Sequence, residues 1–208
     1  MIAIIDYKAG NLTSVKLALD SIGVEGVVTS DPEVIRSSPR VIFPGVGAAG
    51  AAMSTLQEAG LESCIRDVVV QGTPFLGICV GTQILLERSE EDGGVDCLGL
   101  IPGEVRMFRP EKDSDKVPQM GWNTVSLVRP HPLFEGIESD SEFYFVHSYY
   151  PAPEEEDVVL TRTDYAGVSF SSALARQNLV ATQFHPEKSG RVGLRLLRNF
   201  SEWDGHAE

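Results

Sequence analysis

Pro74-Phe75-Leu76-Gly77-Ile78-Cys79-Val80-Gly81-Thr82-Gln83 changes character at its midpoint. The stretch up to Cys79 reads as a central apolar strand, and Val80 to Glu87 reads as a helix, so strand runs into helix at the cysteine. Gly77 and Gly81 flank Cys79 two positions away on either side. Such a junction tolerates sharp backbone geometry and lifts the side chain at its apex over the end of a sheet. It also places the first amides of a new helix beside that side chain.

Upstream, strand and helix signals alternate. Ile2 to Ile5 form a short apolar run, followed by a turn at Lys8-Ala9-Gly10, with Asn11 available as a helix cap. Leu12, Val15, Leu19 and Ile22 recur at helical spacing, and Gly23 stops that helix. Val24 to Val28 gives a second strand, Pro32 starts a short helix, and Val41-Ile42-Phe43 gives a third strand ending in the tight loop Pro44-Gly45-Val46-Gly47. Residues 51–70 read as helical with an interruption at Gly60. This alternation predicts an α/β fold with a mainly parallel central sheet flanked by helices, whose site lies beyond the C-terminal strand ends.

Downstream, residues 90–130 are rich in turn formers and contain the charged run 111–116. Further strands are expected around Phe143 to Val146, Val158 to Thr161 and Leu179 to Gln183. Ser189 can cap a last helix whose apolar face carries Val192, Leu196, Leu197, Phe200 and Trp203. The stretch 151–157, rich in Pro and Glu, reads as a surface loop rather than a linker, and residues 1–208 are expected to form a single domain.

The 208 residues include 17 Lys and Arg against 30 Asp and Glu, a net charge of −13 with no basic stripe, which argues against nucleic acid as a partner. The N-terminus lacks the pattern of a signal peptide, and no apolar stretch has the length of a membrane span. Three cysteines without CxxC spacing fit a reducing, cytoplasmic setting. No residue cluster calls for a metal or a cofactor.

Cys79 is the first chemical candidate, since helix amides favour both a thiolate and an oxyanion at such a turn. A buried structural cysteine is the competing reading. Gln183-Phe184-His185-Pro186-Glu187 supplies the second candidate. Two-residue spacing lets His185 and Glu187 point the same way from an extended segment, so that Glu187 orients His185 and His185 activates Cys79. Taken alone, that pentapeptide also reads as an ordinary loop.

Together GICVG at 77–81 and QFHPEKS at 183–189 resemble the nucleophile and histidine–glutamate motifs of the class I glutamine amidotransferase family. Within it, the chain more closely resembles the amidotransferase subunits of imidazole glycerol phosphate synthase. That resemblance rests on IIDY followed by AGN, PGVG at 44–47, LIPGEV at 100–105, PQMGWN at 118–123 and the YFVHSYY stretch, and it extends to Asn199-Phe200. It implies that family's fold, including additional antiparallel strands, and glutamine hydrolysis through a Cys79–His185–Glu187 triad and a cysteinyl thioester.

By the same resemblance, Val80 and the Val46 or Gly47 amide are oxyanion candidates. Gln83 and the backbone at Ser148 and Tyr149 are expected to hold glutamine. The implied partner is a separate TIM-barrel cyclase subunit in a heterodimer, with Met120, Trp122 and Asn123 as candidate contacts. Trp122 is the type of residue that anchors desolvated interfaces. His147 is expected to be structural, and Cys64 and Cys97 to be packing residues. Lys8 stands where the subfamily commonly has glycine, and Gln119 where it commonly has histidine. An amidotransferase for another acceptor, a standalone glutaminase and a non-catalytic scaffold remain as alternative readings.

Overall fold

A computed structural model describes residues 1–8, 11–110, 112 and 115–206. Ala9 and Gly10 of the expected turn, and Glu111, Asp113 and Ser114 of the charged run, lie outside the described residues. The N-terminal part alternates as β1 (Ile2–Ile5), α1 (Leu12–Ser21), β2 (Gly26–Thr29), α2 (Pro32–Ser37), β3 (Val41–Gly45), α3 (Ala49–Glu58), α4 (Leu61–Val70), β4 (Phe75–Cys79) and α5 (Val80–Gln83). Short strands β5 (Arg88–Ser89) and β6 (Val95–Asp96) follow, then β7 (Gly103–Met107), β8 (Gln119–Leu127), β9 (Ser141–His147) and β10 (Tyr149–Pro153). The chain closes with β11 (Val159–Tyr165), β12 (Val168–Arg176), β13 (Leu179–Thr182) and α6 (Gly190–Glu202).

Nine strands form the main sheet in the order β2-β1-β3-β4-β13-β12-β11-β8-β9. The five from β2 to β13 pair in parallel, and β12, β11, β8 and β9 extend the sheet antiparallel. A second sheet runs β10-β7-β5-β6. Every residue of β1, β3, β4 and β13 is buried, and because successive side chains point to opposite faces, both faces of these four strands are covered. In α6 the expected Leu196, Leu197 and Phe200 are buried together with Gly193, while Val192 is half-buried and the buried Trp203 stands at the helix C-cap. Among the described residues, no helix is long and apolar enough to cross a membrane.

Register decides what meets at the strand ends. Gly45 of β3 lies beside Cys79, and Thr182 of β13 lies beside Ile78. The loop after β3 and the segment after β13 therefore leave the sheet on either side of the cysteine.

Four local expectations change. The helix after Cys79 ends at Gln83 rather than Glu87, because the carbonyls of Ile84, Leu85 and Leu86 accept from the amides of Leu98 to Ile101. Residues 151–153 are not loop but the end of β10, an edge strand where proline's missing N–H is tolerated. Ser189 stands at the start of α6 without capping it; its hydroxyl donates to the His185 carbonyl at 2.6 Å and accepts from Tyr144 N–H at 3.0 Å. Asn11 precedes α1, but its side chain makes no cap bond and reaches Glu187 instead.

Candidate active site

Cys79 is the last residue of β4 and adopts φ 55°, ψ −111°, a region that ordinary residues enter only under constraint. The constraint is the packing of α5 against β3. A Cβ on Gly81 would stand 2.1 Å from the Phe43 carbonyl oxygen, so only glycine lets the helix start this close. Thr82 adds a tie, its hydroxyl donating to the Thr182 carbonyl at 2.6 Å. The cysteine is 4% exposed.

A cavity of about 260 Å³ opens over this turn. It brings together Val46, Gly47, Cys79, Val80, Gln83, Ser148, Tyr149 and His185, all expected from sequence. Glu187 sits behind His185, with His185 Nδ1 2.8 Å from Glu187 Oε1 and both side chains buried. Asn11 Nδ2 donates to the same carboxylate oxygen. His185 Nε2 makes no hydrogen bond among the described residues. Burial disfavours a charged imidazole, yet interaction with Cys79 and with Glu187 outweighs it and raises the His185 pKa to about 10. The arrangement has the form that a nucleophile, a base coupled to it and a carboxylate orienting that base require.

The cavity also contains residues that the sequence reading did not assign to it. Glu91 lines it and accepts from the Ala49 N–H at 2.6 Å, pinning the start of α3 just beyond the Val46-Gly47 loop. Among the described lining residues it is the one carboxylate. His147 lines the cavity too, with Nδ1 2.6 Å from the Tyr149 carbonyl and Nε2 3.1 Å from Gln119 Oε1. Burial lowers its pKa to about 4; the neutral ring has a single N–H, which can serve only one of these two oxygens. Gln119 is the side chain that meets Nε2. Gln183 is fully buried, and its Nε2 lies 3.7 Å from Cys79 Sγ. A two-residue alternation through Gln183 and His185 was the available signal for that residue; for Glu91 and Asn11 there was none short of the fold.

Met120 and Trp122 do not line the cavity. They stand on one face of β8, 67% and 54% exposed. Trp122 meets the Tyr144 ring edge-on at 6.1 Å, and Lys188 Nζ lies 5.9 Å from the centre of that ring. The Tyr144 carbonyl in turn accepts the His185 N–H at 2.9 Å, so this exposed patch is one hydrogen bond from His185. Asn123 Nδ2 is bonded to the Asp164 carbonyl. Cys64 is buried and Cys97 half-buried, and burial raises both thiols, Cys97 to about 11. Lys8 has φ 67°, the left-handed conformation that glycine adopts without strain.

A family profile described as class-I glutamine amidotransferase matches residues 3–202. An imidazole glycerol phosphate synthase subunit HisH from Nitratidesulfovibrio vulgaris strain DP4 is 54% identical over 98% of this chain and 96% of its own length. The subunit of the same name from Moorella thermoacetica is 52% identical over 99% and 96%. Among solved structures, PurLQS from Thermotoga maritima superposes with a TM-score of 0.74 at 18% identity, covering 97% of each chain, and so speaks for the fold. A crystal structure described as a glutamine amidotransferase gives 0.72 at 20% identity, covering 99% of this chain and 100% of its own.

Proposed function

The chain belongs to the class-I glutamine amidotransferase family, and from that membership we propose that it is the ammonia-producing subunit of an imidazole glycerol phosphate synthase. Glutamine is hydrolysed to glutamate and ammonia in the cavity over Cys79. The ammonia passes to a separate TIM-barrel cyclase subunit, in a cytoplasmic heterodimer. There it enters imidazole glycerol phosphate, with release of an aminoimidazole carboxamide ribonucleotide, in histidine biosynthesis. One domain spanning 1–208 carries the glutaminase half.

The observation that carries the glutaminase chemistry is the buried His185–Glu187 pair coupled to a cysteine on a strained strand-to-helix turn. His185 takes the Cys79 proton at Nε2, and the resulting imidazolium is stabilised by Glu187, itself held by Asn11. The thiolate attacks the side-chain amide carbon of glutamine. The oxyanion is received by the Val80 N–H and by an N–H of the Val46-Gly47 loop. His185 returns its proton to the leaving nitrogen, ammonia departs, and a glutamyl thioester remains. Water, deprotonated by His185, hydrolyses that thioester to glutamate. Glu91 is the lining carboxylate suited to the substrate's ammonium, while Gln83 and the backbone of Ser148 and Tyr149 hold its amino-acid end.

Met120, Trp122 and Asn123 of β8 are the partner contacts in this reading. Because the exposed patch adjoins the base, and because the Val46-Gly47 loop is the donor that can turn, assembly controls the rate. Loss of one oxyanion donor lowers turnover by about 10²–10³-fold. Saturating glutamine is therefore expected to give low kcat with the isolated chain and a marked rise with the cyclase carrying its nucleotide ligand. Equal kcat in the isolated chain, the complex and the ligand-loaded complex removes the control by assembly. Absence of cyclised product from the loaded complex removes the synthase assignment.

A further inference from the structure

Gln183 is fully buried, where an amide is expected to have both ends bonded. Its Oε1 accepts from Gln83 Nε2 at 3.0 Å, and its Nε2 stands 3.7 Å from Cys79 Sγ. The orientation of both amides is fixed by a main-chain group. Gln83 Nε2 also donates to the Tyr149 carbonyl at 3.0 Å, so both its hydrogens are committed and its nitrogen end must face Gln183. Gln183 then has to turn its oxygen to Gln83 and its N–H to the sulfur. The hydrogen-bond network assigns the orientation of each amide.

The sulfur has a second neighbour, the Val146 carbonyl oxygen at 4.0 Å. That oxygen can only accept, so it suits the thiol. An N–H donor suits the thiolate, because hydrogen bonds to a charged acceptor are the stronger ones. We propose that Gln183 is a catalytic residue whose side-chain amide donates to Cys79 Sγ and favours the thiolate before glutamine is attacked. Gln83 holds that amide in its donor orientation and keeps its own oxygen for the ligand in the cavity it lines. No bond to carbon forms or breaks in this step; the Cys79 proton goes to His185 Nε2, and Gln183 keeps its own hydrogens. The inference rests on the assignment of Cys79 as the nucleophile.

The test is alkylation of the full chain by iodoacetamide across pH, with the Cys79 peptide followed by mass spectrometry to separate it from Cys64 and Cys97. Gln183→Met keeps length and apolar bulk but cannot donate. It is expected to alkylate about tenfold more slowly near neutrality, the scale of a hydrogen bond to a charged group. The rate should recover fully at alkaline pH, so that the profile is displaced without a change in its plateau. Gln183→Glu, which sets a carboxylate against the sulfur, should be displaced further. A folded Q183M chain with the wild-type profile overturns the inference. Should Q183M fail to fold, the unaltered chain answers: the Gln183 side-chain amide resonances should follow pH together with Cys79 alkylation and stop doing so in C79A. Resonances indifferent to pH overturn it equally. Alkylated wild-type chain that still hydrolyses glutamine defeats the nucleophile assignment itself. Loss of hydrolysis on alkylation, with an undisplaced Q183M profile, defeats only the role of Gln183.

Discussion

His185 and His131 are both buried, 1% and 6% exposed, yet their surroundings shift their pKa values in opposite directions. His185 lies at the C-terminal ends of the parallel strands, with a carboxylate on Nδ1 and a thiol coupled to the ring, and its pKa is raised to about 10. His131 lines a cavity bounded by Gly72 and Asn178, just before β4 and β13 begin, at the other end of those strands. Its Nδ1 accepts the Leu133 N–H at 3.2 Å and its ring meets Trp203 edge-on. Burial, with Arg129 adding to it, lowers its pKa to about 4. Burial acts on both rings in the same sense; an anionic partner within reach reverses the outcome only for His185. The hollows differ likewise. His131 also borders a cavity of about 800 Å³, far larger than the 260 Å³ over Cys79, yet the described walls of the larger one carry no cysteine, serine or threonine. Volume is a poor guide to chemistry here.

The sharpest way to break this contrast is to remove groups from each end. C79A is expected to abolish glutamine-dependent synthesis in the assembled complex while synthesis from added ammonia persists, since the cyclase then bypasses this chain. H185A should lower glutamine turnover by about 10²–10⁴-fold, the usual worth of a general base. Leucine at position 131 should leave kcat within about twofold, on the scale of a change remote from the chemistry. Steady-state assays on the same complexes check all three. A collapse of turnover in H131L would erase the functional distinction between the two ends.

A finer test asks whether the carboxylate must be held as well as present. Asn11→Ala removes the donor to Glu187 and leaves the triad residues in place. The expected loss in kcat is about tenfold, the scale of one hydrogen bond to a charged group, with KM for glutamine little changed. A rise in KM at constant kcat would reassign Asn11 to substrate binding.

The last contrast concerns stability. The unfolded chain protonates a histidine near 6.5, but folded His131 does so only near 4, so its contribution is full above 6.5 and declines as pH falls through that window. The decline amounts to roughly 3 kcal/mol at about 1.4 kcal/mol per pH unit. His147 is lowered in the same sense, so H131L should show a shallower acid-side decline than wild type without abolishing it. His185 has the opposite sign: its contribution is full below 6.5 and lost as pH rises towards about 10. Urea unfolding of wild type and H131L across the acid window reads the difference. Parallel curves would mean that His131 does not titrate as its surroundings require.

Much of this was legible because it is local. The strand-to-helix turn at Cys79 follows from an apolar run, two glycines and a helical period, and His185 and Glu187 follow from two-residue spacing. The reading stopped at what local pattern does not encode. Ile84 to Leu86 look helical, and only the loop at 98–101, which takes their carbonyls, ends the helix. Pro151 and Pro153 look like loop, and only the edge position of β10 makes them strand.

From its sequence alone, this chain had an α/β order, a nucleophile candidate at Cys79 and a base and carboxylate at His185 and Glu187, because periodicity and turn chemistry act between neighbours. Tertiary structure alone decided that Asn11 abandons its helix to hold Glu187, that Gln183 points its amide at the sulfur, and that Glu91 pins the start of α3 while facing the cavity. Each of those contacts joins residues at least 42 positions apart. Their partners are chosen by strand order and register, which emerge when the whole sheet closes around one core.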